Sequence, residues 1–514
     1  MSETNVVKQK ELLGHPGGLF VLFGTEMWER FSFYGMKALL LFYLTKYHLF
    51  SDDSGNLLVG SYAALVYALP VIGGFLADRY LGFRKAVVYG GLLLVLGHLG
   101  MAFEGDAATL NDDGTIIRDE TSLQIFYFSL ALIIVGVGFL KANISSIVGE
   151  LYSKEDKRRD SGFTIFYMGI NLGSFLATLI CGWLGESYGW NYGFGAAGIG
   201  MALGLFTFIW GQRFLKGKAE PKQPELLKEK VLGFLNKETA IYISGLIGVV
   251  LCWQMVQRHS IVELLLMIAG AASLIGIVWY MIKFSDKIER DRLIVLTILI
   301  LFSVIFWALF EQAYTSMNLF ADRAVDRVWS STFTIPAPWF LALNALFIIL
   351  FAPVFAWLWV KLDKRNANPN VAIKFALGII LAGLGFGALV LGGNVAEAGK
   401  VSMIWLVLAY LLHTWGELCL SPVGLSSVTK LSPGKIVGFM MGVWFLATAG
   451  SEYIAALLAN IASVNTHAGE VTDAADALSS YNELFYILFL MGIIFGGILL
   501  LISPLLKKLM HGIK

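Results

Sequence analysis

The chain has 514 residues, 57% of them apolar and only 15% charged, with a mean hydropathy of +0.71 and a formal net charge of +1. These proportions exclude an ordinary water-soluble protein, in which about a quarter of the residues are charged. The near-zero net charge says nothing about nucleic acid, because the charges gather in short segments between apolar runs long enough to span a bilayer.

In chain order the apolar runs predict fourteen spans, near 17–45, 57–78, 86–103, 123–150, 161–185, 191–210, 239–257, 260–282, 293–320, 336–360, 372–393, 401–425, 436–463 and 481–506. The fold class is therefore an all-α membrane protein. Several spans exceed what a perpendicular helix needs and are expected to tilt or bend. Pro70, Pro353 and Pro422, with Gly136 and Gly138, fall inside them, where neighbouring helices can satisfy the backbone.

The first span differs from the rest. Glu26-Met27-Trp28-Glu29-Arg30-Phe31-Ser32-Phe33-Tyr34-Gly35-Met36-Lys37 carries four ionisable groups between apolar flanks. On a helix, the 3.6-residue period sets Glu26, Glu29/Arg30, Phe33/Tyr34 and Lys37 along one stripe roughly 16 Å long, about half a bilayer core. A charge at mid-membrane costs roughly 2.5–3.5 kcal/mol unless a partner or water relieves it. The stripe is thus expected to line a path through the membrane.

Basic residues set the expected orientation. With the amino terminus inside, the outer segments hold Lys46, Arg118, Arg258, Arg323, Arg327 and Lys400. The spans hold Arg30, Lys37 and Lys141, and the remainder of the 38 lie in inner segments. Both termini are expected in the cytoplasm and the chain in the plasma (cell inner) membrane. The polar amino terminus has two lysines and no small-residue cleavage site, so no signal peptide is expected. Cys181, Cys252 and Cys419 lie in apolar runs without metal-ligand spacing and are expected to pack in the core.

The connector 211–238 is lysine-rich and contains Pro221 and Pro224, as a cytoplasmic linker would. The expected organisation is a six-helix bundle at 1–210, the linker with two inserted helices at 211–291, and a second six-helix bundle at 292–514. A faint repeat accompanies it. Gly73-Gly74-Phe75-Leu76-Ala77-Asp78-Arg79 precedes a loop closed by Arg84 and Lys85, and Ala352-Pro353-Val354-Phe355-Ala356 precedes Lys361, Asp363, Lys364 and Arg365.

The stretch from Gly73 to Lys85, GGxLADRxxGxRK, resembles the loop signature of the major facilitator superfamily. Its glycines allow close helix approach, and Asp78 and Arg79 are expected to form a cytoplasmic latch. Four further stretches resemble the proton-coupled oligopeptide transporter family in its bacterial form. They are Glu26-x-x-Glu29-Arg30-Phe31-x-x-Tyr34-Gly35, Phe166-Tyr167-x-x-Ile170-Asn171-x-Gly173-Ser174, Phe306-Trp307-x-x-Phe310-Glu311-Gln312, and Gly416-Glu417-Leu418 followed by Ser421-Pro422-x-Gly424. The resemblance runs from about residue 17 to 460. It implies the major facilitator fold, with twelve core helices in two bundles plus two inserted ones. It also implies proton-coupled import of di- and tripeptides by alternating access, with the proton as coupling ion and no other cofactor.

The distribution of charge agrees. Arg30, Lys37 and Lys141 are in the first half, while Glu311 and Glu417 are in the second. A cleft between such halves is expected to be cationic on one wall and anionic on the other, which suits a zwitterionic peptide. By resemblance, Arg30, Lys37 and Lys141 bind the peptide carboxylate and Glu417 the amino terminus. Asn171, joined by Asn344, meets the peptide backbone, and Tyr34, Tyr67, Trp307 and Trp444 line side-chain pockets. Glu26, Glu29, Glu311 and Glu417 are the candidates for the protonated group. Glu26 and Glu29 are expected to alternate partners between Arg30 and Lys141, and Glu311 to pair Lys37 or Arg30 when the site is empty.

The chain departs from the family pattern in three places. Lys37 replaces the usual arginine and loses a bidentate fork. Phe33 replaces the first of two tyrosines, and Gly60 stands where some members carry a histidine. His98, His413 and Glu452 receive no role, although His413 lies one turn before Glu417. The alternative cargo is nitrate or another small anionic metabolite, for which Glu417 would be unnecessary. A receptor or channel is a different class. An enzyme is not expected, since no nucleophile–base pair, metal spacing or phosphate loop is present. The short loops suit a working monomer.

Overall fold

The computed structural model describes residues 11–153, 156–215, 217–231, 233–397 and 399–513. The amino-terminal segment that bears on a signal peptide lies largely outside them. Among the described residues are fourteen helices of 19 residues or more. They are α1 (Gly17–Phe42), α2 (Asp52–Leu76), α3 (Phe83–Met101), α4 (Glu120–Glu150), α5 (Arg159–Tyr188), α6 (Trp190–Gly211) and α7 (Lys237–Val256). There follow α8 (His259–Lys283), α9 (Lys287–Phe310), α10 (Ala342–Lys364), α11 (Val371–Asn394), α12 (Met403–Leu431), α13 (Val437–Ala459) and α14 (Ala474–Leu509). Thirteen helical runs are long and apolar enough to cross a membrane, and the remaining helix, α1, is the one that carries the charged stripe.

Local chemistry fixes several helix ends. Asp286, Asn370 and Asp473 cap α9, α11 and α14 by accepting backbone N–H bonds through their side chains. α1 runs on into a π-helical turn, Tyr43–Tyr47, and α2 into another, Ala77–Leu81. The ninth span is not one continuous helix. After Phe310 it tightens into a 3₁₀ turn, Glu311–Tyr314, breaks at Thr315, and resumes as a short helix, Ser316–Arg323. Gln312 supports the break. Its amide donates to the carbonyls of Ala308 and Ala455, and its oxygen accepts from Ser316.

The chain packs as two compact units. The first comprises 1–36, 69–104 and 124–253, so its described part starts at residue 11. Within it, α3 and α5 both pack on α6. A side chain at Gly73 would place its Cβ 2.1 Å from the carbonyl oxygen of Gly138, so α2 and α4 touch backbone to backbone there. Gly82, with φ +74, makes the turn between α2 and α3 and lies against Glu220 and Pro221 of the connector. The connector is strapped to that turn. The Arg84 N–H donates to the Ala219 carbonyl (2.9 Å), Arg84 pairs with Glu220, and Lys222 pairs with Asp78 at 2.6 Å. α7 is held in the same unit by Lys85–Glu238 (2.6 Å), by the Tyr89 hydroxyl donating to the Tyr242 carbonyl, and by Trp253 donating to Gln124.

The second unit comprises 37–68, 105–123 and 254–514. α11 forms its centre, packed along both α12 and α14, while α13 packs on α9. The part of α1 beyond Lys37 is fixed there by Asn318, which donates to the Ala38 carbonyl. Asn56 of α2 bonds Asn460. α8 buries only Val262 and Ile277 and leaves most of its apolar surface outward, as a helix facing lipid does. The hydroxyl of Tyr453 donates to Glu263 on α8. Cys181, Cys252 and Cys419 are buried free thiols.

Candidate functional site

In the first unit, α1 gathers its own charges. Arg30 lies one turn after Glu26, and its Nε is 3.4 Å from that carboxylate. It also grips the adjacent Glu29 with two donors, Nε to Oε2 and Nη2 to Oε1, the latter at 2.6 Å. All three side chains are buried, Glu29 completely. The guanidinium lies over the rings of Phe33 and Tyr34, at 5.1 and 5.9 Å from their centroids. Lys141 of α4 is half-buried and is the next cation to act on Glu26.

The fifth-helix stretch serves the same place. A Cβ at Gly173 would sit 2.2 Å from the Met27 carbonyl oxygen, so glycine lets α5 lie against α1 beside Arg30. Two residues earlier, Asn171 is buried and donates to the Tyr167 carbonyl (3.1 Å), with its own carbonyl oxygen left as an acceptor. Asp78 and Arg79 lie apart from this cluster. Asp78 accepts from Lys222 of the connector, and the Arg79 guanidinium rests over Tyr80. The two form no ion pair with each other among the described residues.

In the second unit, Lys37 is the central cation and is 1% exposed. Its ammonium donates to Glu311 at 2.9 Å and to both oxygens of Glu452 at 3.0 and 3.3 Å, and lies 4.2 Å from the centroid of the Tyr314 ring. Of the two cations open to Glu311, Lys37 is the one it holds. Tyr67 is half-buried and acts electrostatically on Lys37. One ammonium between two carboxylates leaves an excess negative charge if both are ionised.

Glu417 differs. It is buried and accepts from Asn344 at 2.9 Å, but it forms no ion pair among the described residues. Asn344 also donates to Thr414, so the carboxylate is oriented and uncompensated by a cation. The motif that follows Glu417 has a packing reason. A Cβ at Gly424 would lie 2.5 Å from the Trp444 ring, so only glycine admits that indole. Trp307 is half-buried and packs edge-on to Phe306 and Phe310.

Sequence reasoning gave no role to two groups that the structure places in strong contacts. Glu452 lies two helical turns beyond Trp444, at positions i and i+8, and this shared face was the available signal. Arg323 counts among the outer-segment charges, yet its side chain is enclosed together with that of Asp52. They form a two-pronged pair at 2.6 and 2.8 Å, with the Tyr481 hydroxyl on the same guanidinium. Arg323 is 271 residues from Asp52, a separation no local pattern reveals. His413 is buried against Phe386, and His98 is fully buried with neither ring nitrogen bonded among the described residues. Just beyond α1, burial and the nearby Arg118 push the His48 imidazole down to about 4. No group of three His, Cys, Asp or Glu that could hold a metal occurs among the described residues.

Long apolar helices with paired charges buried inside them define a membrane transporter. Comparison with known proteins agrees. The family model for the POT family matches residues 84–475. The chain is 41% identical to the uncharacterised transporter YclF of Bacillus subtilis, over 99% of this chain and 97% of that protein. It is 37% identical to a di-/tripeptide transporter of Lactococcus lactis subsp. cremoris, over 98% and 99%. Among solved structures, a peptide transporter POT in complex with sulfate superimposes with a TM-score of 0.81 at 37% identity, covering 98% of each chain. Tetrameric PepTSo2 superimposes with a TM-score of 0.80 at 28% identity, over 96% and 98%. The chain belongs to the POT family. It has the major facilitator fold of that family and is a transporter, not an enzyme.

Proposed function

We propose that this protein imports di- and tripeptides together with protons, by alternating access, across the plasma (cell inner) membrane. Both termini lie in the cytoplasm, and the monomer is the working form. The chain order is a bundle at 1–210, a linker with two inserted helices at 211–291 and a bundle at 292–514. Arg30, Lys37 and Lys141 bind the peptide carboxylate, and Glu417 binds its ammonium. Asn171 and Asn344 bond its backbone, and Tyr34, Tyr67, Trp307 and Trp444 form side-chain pockets. Glu26, Glu29 and Glu311 carry the proton coupling, while Asp78 and Arg79 act at the cytoplasmic loop.

The observation that carries the coupling is the ammonium of Lys37 shared by Glu311 and Glu452. A peptide carboxylate arriving at Lys37 adds a third negative charge to one cation. Taking up a proton on a glutamate restores the balance, so binding and protonation become one event. Glu417, oriented by Asn344 and lacking a cation, supports the ammonium end of a zwitterion over nitrate.

The test is uptake of labelled dialanine into proteoliposomes with an inward proton gradient and inside-negative potential. Accumulation that an uncoupler collapses, and that Glu417→Ala removes, is expected. A folded protein that ignores dialanine while still exchanging nitrate would sink the peptide assignment.

A further inference from the structure

At one end of the second unit a cavity of about 320 Å³ opens among the loop joining α10 to α11, the end of α12 and the carboxyl-terminal tail. Its lining includes Lys374, Lys430 and Lys507 and, among the described residues, one carboxylate, Asp363. Lys374 stands in the first turn of α11 and is 7% exposed. Its ammonium rests over the Trp359 ring at 4.5 Å and has neither an ion pair nor a hydrogen bond among the described residues. Lys430 and Lys507 are exposed and likewise unpaired among the described residues. Neutral donors, including Ser426 and Asn366, complete the wall. The tail that closes the cavity is tied down by Arg292, which donates to the Met510 and His511 carbonyls, and by the His511–Asp291 contact at 2.8 Å.

The geometry points to an anion site here, with the chemistry of a phosphate: three ammonium groups, none of them ion-paired among the described residues, around a space many times the ~30 Å³ of a water. Two sources supply that chemistry, the headgroup of an anionic phospholipid or free inorganic phosphate. The surroundings favour the lipid. On the same end of α10, Trp357 is 59% exposed with Lys361 over its ring at 4.4 Å, and Leu505 of α14 is 58% exposed. An outward indole capped by a lysine marks the level at which headgroups lie. None of the proposed peptide-binding residues lines the cavity, and the inference does not depend on the cargo.

The experiment uses the full chain in detergent. Native mass spectrometry follows retention of added phosphatidylglycerol against phosphatidylcholine, and calorimetry follows inorganic phosphate. Lys430→Gln/Lys507→Gln alters only exposed side chains. It is expected to weaken phosphatidylglycerol binding about 25-fold, at roughly fivefold per lysine. Lys374→Met is expected to abolish binding. Lys435→Gln/Lys508→Gln removes two exposed charges that do not line the cavity and is expected to leave binding unchanged. Millimolar inorganic phosphate that binds and displaces the lipid identifies free phosphate as the ligand, and lipid that resists it identifies the headgroup. Wild-type protein that prefers neither phosphatidylglycerol nor phosphate overturns the site. So does a control pair that loses as much binding as the cavity pair.

Discussion

Removing the ammonium of Lys37 together with one of its acids should destabilise the protein by less than the two single losses added. At 2.9 and 3.0 Å and an effective dielectric of about 20, each carboxylate gains about 6 kcal/mol of attraction, offset by desolvation of the same groups. Lys37→Gln removes the ammonium that buried Glu311 and Glu452 share, at a cost of about 3–5 kcal/mol. Glu452→Gln leaves a one-to-one Lys37–Glu311 pair and loses one charged hydrogen bond, about 1.5–3 kcal/mol. In Lys37→Gln/Glu452→Gln only Glu311 has lost the ammonium, where Lys37→Gln strips it from two acids. The double variant should therefore be more stable than the sum of the singles predicts, by at least ~1 kcal/mol. Denaturant unfolding in detergent at neutral pH, followed by tryptophan fluorescence, measures the cycle. Additivity within about 0.5 kcal/mol would refute the shared ammonium, because contacting charges do not behave independently.

Glu26→Gln or Glu29→Gln should abolish acid-driven peptide uptake and spare counterflow exchange. Loss of both in a folded protein would assign these acids to binding or structure instead. Gly60→His, which writes in the histidine of other family members, should destabilise by about 1–3 kcal/mol, because its Cβ would lie 2.5 Å from that of Ala456. An unchanged melting temperature would mean that α2 and α13 do not touch there. His48 is held neutral, its pKa lowered from 6.5 to about 4 by burial and then by Arg118. Its contribution is complete above pH 6.5 and is lost as pH falls toward 4, up to about 3 kcal/mol. The melting temperature of the wild type should drop across that window and that of His48→Gln should drop less. Parallel curves would dismiss the imidazole as the cause.

Residues that signal by local spacing were legible. The i,i+4 relation of Glu26 and Arg30, the apolar lengths of the helices and the odd charges of α1 all follow from helical period and bilayer thickness. Contacts set by tertiary packing were not. Nothing around Thr315 announces a break, because the break rests on Gln312 reaching a carbonyl 143 residues away. Gly173 and Gly424 read as parts of motifs, but their physical task is clear only once Met27 and Trp444 are seen against them. The latch motif names Asp78 and Arg79 but no partner for either, and the contact of Asp78 is Lys222 of the connector, in a segment whose composition says only that it is polar. Glu452 was visible as an acid in an apolar span, while its partner, far along the chain, was not.

That distance has a consequence for biogenesis. Lys37 is synthesised 274 residues before Glu311 and 415 before Glu452. At about 5–20 residues per second the wait for the second acid is roughly 20–80 s. For the first 274 residues of it, the first helix holds a lysine destined for the interior and neither of these acids to neutralise it. The nascent helix must therefore be sheltered by insertion machinery, or lie shallow with the lysine snorkelling to the interface, until the ninth span emerges with Glu311. Completion of the chain, not insertion of its first segment, commits α1 to its final depth.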